Sequence, residues 1–216
     1  MSTQTMLHAC RELAARSWVA NHDGNLSLRR PGRDFLVTPT AFRKADLRAT
    51  DLLVIDAQGA VKTGRHKLFS EWQLHSAVFE ARPEMNAVIH AHPPYSTAMA
   101  CAGQRLDPCF MAEAIVSLGP EIGWVPFAEP GHESLTTNLS SSARRCNVAL
   151  LAQHGVISWG TDLSMALARM ELVEHLARLS SLAQPLGGVK RLPTSSITAM
   201  SAKHAKAGLA APEMNL

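Results

Sequence analysis

Tyrosine is almost missing from this chain of 216 residues: there is one, Tyr95, and aromatic residues make up only 5% of the composition. Cysteine is also scarce, with Cys10, Cys101, Cys109 and Cys146 as the whole complement and no CxxC pair among them. That excludes a disulfide framework and a cysteine-based zinc site, and points to reduced thiols. No apolar run approaches the roughly 20 residues a membrane-spanning helix needs; Val148 to Ala152 is typical of the longest. The first residues, MSTQTMLHACRELAAR, place Arg11 and Glu12 inside the apolar pattern where a secretory signal would be uninterrupted, so a cytoplasmic location is expected. Charge of one sign is absent too. A net charge of +3, with basic residues scattered beyond short pairs such as Arg29-Arg30 and Arg144-Arg145, does not make a phosphate-tracking surface, and neither nucleic acid nor membrane is an expected partner.

What remains is a globular composition, 46% hydrophobic and 18% charged, of a length suited to one domain. Met6, Leu7, Cys10, Leu13, Ala14 and Val19 recur at helical spacing and predict a first helix ending near Asn21. Leu26/Leu28 and Phe35/Val37 alternate on either side of Pro31-Gly32 and predict a hairpin; Asp51 to Ile55 and Val61 flank a second turn at Gln58-Gly59. Ser70 followed by Gln73 has the spacing of a capping box, so a helix is expected from about Ser70 to Pro83. A strand over Met85 to Ala91, a helix over 96–102, loops and short strands over 103–131, and a helix over 132–144 follow. Strands at 147–152 and 156–159 then lead into a long helix over 162–182 capped by the Gly160-Thr161-Asp162 turn. Residues 186–216, with weak periodicity, are expected to form a C-terminal tail that is mobile or packs on a neighbouring subunit, leaving 1–185 as the domain. Elements in mixed order predict an α/β domain rather than a regular βαβ ladder.

The chemistry concentrates in HAHPPYSTA, residues 90–98. Histidines two apart on a strand share a face, about 6 to 7 Å from each other, so His90 and His92 can share one ion, or can simply face solvent. A catalytic zinc commonly takes three protein ligands. His154, after the apolar run NVALLAQ and before Gly155, is the best third donor, unless it is only a hydrogen-bonded loop histidine. Glu71, in the first turn of the preceding helix, can complement the helix dipole or can serve as a general acid/base beside an ion. His75, one turn further along, is a candidate to support that site.

In this order, GNLSL, TPT, SEWQLH, HAHPPYSTA and QHGVISWG resemble the class II aldolase/adducin family over roughly residues 5 to 185, most closely its L-fuculose-1-phosphate aldolases. The resemblance implies a single three-layer domain: a central, mostly antiparallel sheet flanked by helices. It implies assembly as a homotetramer with active sites at subunit interfaces. It makes His90, His92 and His154 the ligands of a zinc (or another divalent ion) and Glu71 the acid/base. It gives Gly24, Asn25, Thr40 and Ser70 to substrate or phosphate binding. The implied activity is a lyase of carbohydrate metabolism that cleaves or forms a carbon–carbon bond in a small ketose or ketose 1-phosphate through a zinc-stabilised enediolate. Dehydratase, 4-epimerase and decarboxylase chemistry on the same metal site is the alternative; a non-catalytic adducin-head-like module would have no need for four converging ligands.

Three positions depart from the family pattern. Ala41 stands where a glycine follows the threonine, Phe69 stands where a serine precedes Ser70-Glu71, and residues 103–216 hold no tyrosine to act as proton donor. A phosphate needs several convergent donors, so Phe69 in place of one is expected to weaken the phosphate site or to make its pocket smaller and more apolar. Phe69, Phe110, Met111 and Trp124 could form an apolar wall or pack in the core.

Overall fold

Strict alternation along the strands sets the architecture of the computed structural model, which describes residues 2–214. Strands β1 (Asn25–Arg29), β2 (Phe35–Val37), β3 (Leu53–Ile55), β4 (Val61–Thr63), β5 (Ala87–Ala91), β6 (Gly123–Val125), β7 (Val148–Leu151) and β8 (Gly155–Gly160) form one sheet in the order β4-β3-β2-β1-β5-β8-β7-β6. Neighbours are antiparallel except for β6 and β7. Ala87, Ile89 and Ala91 of β5 point into one apolar cluster together with α1 (Ser2–Ala15) and α6 (Leu163–Ala183); Val88 points into the other, with α2 (Trp72–Ala81) and α5 (Glu133–Arg145). The α/β expectation of a central, mostly antiparallel sheet between helices therefore holds. Each aliphatic side chain buried this way contributes about 1.5–3 kcal/mol, so both faces of the sheet are occupied rather than one. Among the described residues no helix is long and apolar enough to cross a membrane.

Several elements differ from the sequence-based expectation. α1 stops at Ala15, not near Asn21, because Ser17 takes a left-handed conformation (φ 57°). Its N–H donates to Ala14 O at 3.0 Å and that of Trp18 to Leu13 O at 2.9 Å, the paired bonds of a Schellman ending. α2 begins at Trp72, and the capping box expected of Ser70 and Gln73 does not form: Glu71 is the N-cap and its side chain does not cap the helix. α3 (Pro94–Cys101) starts two residues before the expected position, with Pro94 at its first turn where a missing N–H costs nothing. Within 103–131 there is a helix, α4 (Ala112–Leu118), besides β6; it is too short to show a helical period in sequence. The stretch expected as a tail contains α7 (Thr194–Lys206), which packs on α4 with Ser201 and His204 buried; residues 215–216 of that stretch lie outside the described residues. His204 reaches back to Val116 O and Asn147, contacts remote in sequence that no local pattern announces.

Register brings the start of β1, the end of β5 and the β7–β8 turn to one edge of the sheet. Asn25 pairs with His90, Ala91 with Val156, and Leu151 with Gly155. Asn25, Ser27 and His90 share the face toward α2, since β1 and β5 send Leu26, Ile89 and Ala91 to the opposite cluster.

Candidate metal centre and adjoining cavity

His90 is the penultimate residue of β5, its ring buried, and its Nδ1–H donates to Val156 O at 2.9 Å. A carbonyl only accepts, so the proton sits on Nδ1 and the Nε2 lone pair is free. His92, just beyond the strand, donates from Nδ1 to Asp23 Oδ2 at 2.8 Å, which frees its Nε2 in the same way. The two Nε2 atoms face each other at 3.1 Å. Nitrogens bound to a tetrahedral zinc at about 2.0–2.1 Å stand ~3.3 Å apart, so this donor pair fits such an ion. His154 completes the set from the β7–β8 turn, and the candidate ligand atoms of the three histidines all lie within 4.8 Å of one another. The turn is tight: Gln153 takes a left-handed φ of 52°. Gly155 is required beside it, because a Cβ there would stand 2.5 Å from His92 Cδ2 and 2.7 Å from Ala91 O. Burial, the largest effect, pushes His90 down to about 4 although Glu71 opposes it, so the ring is a neutral donor at pH 7.

Glu71 projects into the same space. Its Oε1 lies 3.0 Å from His154 Nε2, its Oε2 lies 3.7 Å from His90 Nε2, and Asn25 Nδ2 donates to Oε2 at 2.7 Å. Burial alone would raise this carboxyl, but the histidines His90 and His154 and the hydrogen bonds from His154 and Asn25 outweigh it and hold it below the usual carboxylate range. As the N-cap of α2 it also has the helix N-terminus beneath it, yet its side chain serves the cluster and not its own helix. Asn25, only 4% exposed, is held from behind: its Oδ1 lies 2.7 Å from His75 Nε2, and His75 Nδ1 lies 2.6 Å from Ser27 Oγ. Burial, with the neighbouring His90 in the same direction, drives His75 down to about 3 against the pull of Glu71.

The other expected site residues occupy adjacent loops. Gly24 (φ 71°) lies against β5, where a Cβ would stand 2.6 Å from Val19 Cγ1 and 3.1 Å from His90 O. Thr40, exposed, donates its N–H to Lys67 O at 3.0 Å, and Pro39 bridges to Leu68, so the Thr40 and Ser70 segments run side by side. Lys44 is 2% exposed and ties this loop to the one before β1, with Nζ 2.9 Å from Phe42 O and 3.2 Å from His22 O. Ala41 keeps φ 61°, so the backbone has the left-handed form a glycine would take. Phe69 faces the core, not this surface: it is 5% exposed, with its ring 4.9 Å from that of His75 and 6.5 Å from that of Trp72. The expectation that it makes the pocket smaller and more apolar is therefore corrected.

Glu71, His154 and Ser70 form one wall of a cavity of about 470 Å³. Its remaining lining is mostly apolar and includes Leu74, Val125, Phe127, Leu135 and Leu151. Of the wall residues considered in the sequence, Phe110, Met111 and Trp124 pack instead against the cluster on the opposite face of the sheet. Sequence reading also missed Asp23, the partner of His92; an acid next to Gly24-Asn25 was the available signal, but only the fold brings it 69 residues back to that ring.

Residues 4–181 match the family model of the Class II Aldolase and Adducin N-terminal domain. The chain is 33% identical over 184 residues to the 5-methylthioribulose-1-phosphate/5-deoxyribulose-1-phosphate aldolase of Rhodospirillum rubrum, covering 83% of this chain and 82% of that one. It is 32% identical over 181 residues to the 3-oxo-tetronate 4-phosphate decarboxylase of Haemophilus influenzae, covering 82% and 85%. A solved L-fuculose 1-phosphate aldolase superposes with a TM-score of 0.86 at 26% identity, covering 94% of this chain and 96% of that one.

Proposed function

The chain belongs to the class II aldolase and adducin family, and from that premise we propose a metal-dependent aldolase acting on a small ketose 1-phosphate whose aldehyde half ends in an apolar group. One observation carries the reading: three histidine donors gather beside the Glu71 carboxylate, and Glu71 and His154 of that cluster open onto a mostly apolar cavity. His90, His92 and His154 would hold the ion, and a set of three imidazoles beside an open position suits zinc. A bound ion would act as a Lewis acid toward negative charge developing on the substrate oxygens. Glu71 moves the proton: in condensation it takes one from the carbon beside the carbonyl, and in cleavage it returns it. Asn25 holds Oε2, and Oε1, now beside His154, is the oxygen that faces the ion site and would make that transfer once the histidine holds the ion. Backbone and hydroxyl groups at Gly24, Asn25, Thr40 and Ser70 would receive the phosphate; the glycine-like backbone of Ala41 supports this assignment, and Phe69, turned into the core, offers no donor but does not obstruct it. Leu74, Val125, Phe127, Leu135 and Leu151 exclude water from the other half of the substrate.

The cavity predicts the preference. With 5-deoxyribulose 1-phosphate or 5-methylthioribulose 1-phosphate, kcat/KM for release of dihydroxyacetone phosphate should exceed that with ribulose 1-phosphate by about 10- to 200-fold, the effect of one group buried in an apolar pocket. Equal rates with the hydroxylated sugar would remove the apolar assignment. Release of carbon dioxide from a 3-oxo-tetronate 4-phosphate, with no cleavage of the ketose phosphates, would replace the aldolase reading by decarboxylation.

The proposal includes a homotetramer in the cytoplasm with sites at subunit interfaces. Phe127 is 61% exposed at the cavity, a large apolar side chain whose burial by a second copy would be favourable. Light scattering at micromolar concentration should give about four times the 23.3 kDa chain mass, and a monomer would contradict it.

A further inference from the structure

We infer that His75 is a positioning residue which, acting through Asn25, aims the Glu71 carboxylate; the inference rests on Glu71 being the proton-transfer group. The hydrogen-bond directions follow by elimination. An ionised carboxylate only accepts, so Asn25 presents its amide nitrogen to Glu71 Oε2, 2.7 Å away, and its Oδ1 therefore points the other way. That oxygen needs a donor and finds His75 Nε2 at 2.7 Å, so the imidazole proton is on Nε2. Nδ1 is then an acceptor, and Ser27 Oγ, 2.6 Å away, donates to it.

The result is a one-way chain, Ser27 to His75 to Asn25 to Glu71, with each link donating to the next. Ser27 and His75 are fully buried and Asn25 nearly so, in a region walled by Phe69 and Trp72. Water is not at hand there to replace a lost link, and an unpartnered buried amide oxygen is costly. Without the His75 donor, Asn25 Oδ1 has no partner and nothing behind the amide fixes its orientation. The amide is then free to swing from Glu71 Oε2, and the carboxylate loses the hold that keeps it beside His154. The fold makes the chain possible because Asn25 and Ser27 are two apart on β1 and share the face that α2 covers, while Glu71 and His75 stand one turn apart on that helix.

The test is exchange of dihydroxyacetone phosphate protons with deuterated water, followed by NMR on zinc-loaded protein. His75→Phe, which suits the aromatic surroundings but has no donor, should lower kcat roughly 10- to 100-fold and leave KM and bound zinc unchanged. His75→Gln, with an amide N–H to offer Asn25, should recover most of the rate. Asn25→Ala should cost as much as His75→Phe, and the double variant no more than Asn25→Ala alone, since the two act in series. Unchanged kcat in folded His75→Phe, or full additivity in the double variant, would overturn the inference. Should His75→Phe not fold, Ser27→Ala takes its place: it frees the imidazole proton to move to Nδ1, and a loss of about fivefold is expected. Unchanged kcat in Ser27→Ala would then count against the chain. Glu71→Gln, run beside these, separates the two levels: if it exchanges normally the acid/base reading itself fails, and if it alone is inactive only the role of His75 does.

Discussion

Glu71→Gln should leave a folded, zinc-loaded protein that turns over roughly 100- to 10,000-fold more slowly, the range of a lost general acid/base. The amide preserves the volume of the side chain, and its oxygen can still accept from Asn25, which holds Oε2 at 2.7 Å in the parent. What it lacks is a site for the proton. Burial would raise the parent carboxyl, but the histidine cluster and the hydrogen bonds from His154 and Asn25 hold it below the usual carboxylate range, so it is ionised over the neutral range. The measurement is incorporation of deuterium into dihydroxyacetone phosphate alongside the rate of ketose phosphate cleavage. Both should fall together with metal content unchanged. Cleavage at the parental rate would take Glu71 out of the chemistry; loss of the metal along with the rate would make it a ligand instead.

Removing a histidine should act earlier, on the ion itself. In His90→Ala we expect metal affinity to fall more than 100-fold, past the roughly 10- to 100-fold typical of losing an outer hydrogen-bond partner. Dialysed parent protein should carry about one zinc per chain, as a three-histidine site would, and the variant close to none. Asp23→Asn belongs to the intermediate range. The amide can present an oxygen to His92 Nδ1, now 2.8 Å from the Asp23 carboxylate, but the charge that makes the ring a stronger donor is gone. Metal analysis after dialysis, and activity after chelation and zinc addition, read both variants. Full metal retention in His90→Ala would exclude His90 as a ligand, and an Asp23→Asn protein indistinguishable from the parent would leave Asp23 a loop anchor only. His90→Ala also leaves Val156 O without its donor, about 1–3 kcal/mol of stability if nothing replaces it, so folding is checked before metal is assayed.

The helices longer than about ten residues were legible wherever their apolar period faced one core. α6 runs over Leu163–Ala183, with Asp162 accepting from Met165 N as its cap, close to the helix expected over 162–182. Both hairpins were legible as well, because alternation brackets a turn in each, with Gly32 at φ 88° and Gly59 at φ 86°. Elements that failed to show are short or held by distant partners. α4 spans seven residues, and α7 owes its place to contacts of His204 with Val116 and Asn147. The end of α1 went unread because the left-handed residue is Ser17, a residue type that does not announce such a turn.

The same division runs through the site. The chain by itself determined which donors exist: a histidine pair at the end of an apolar strand, a third histidine at another, and an acid opening a helix. Those are matters of residue type and of a two-residue period, both local. Tertiary structure alone decided what they do together. Pairing of Asn25 with His90 and of Ala91 with Val156 draws strand ends far apart in sequence to one edge of the sheet. That register turned Glu71 away from capping its helix and toward His154, gave His92 its partner Asp23, and turned Phe69 into the core. Hydrogen-bond partners and burial depend on which elements lie across from one another, and nothing in the spacing along a chain encodes that directly.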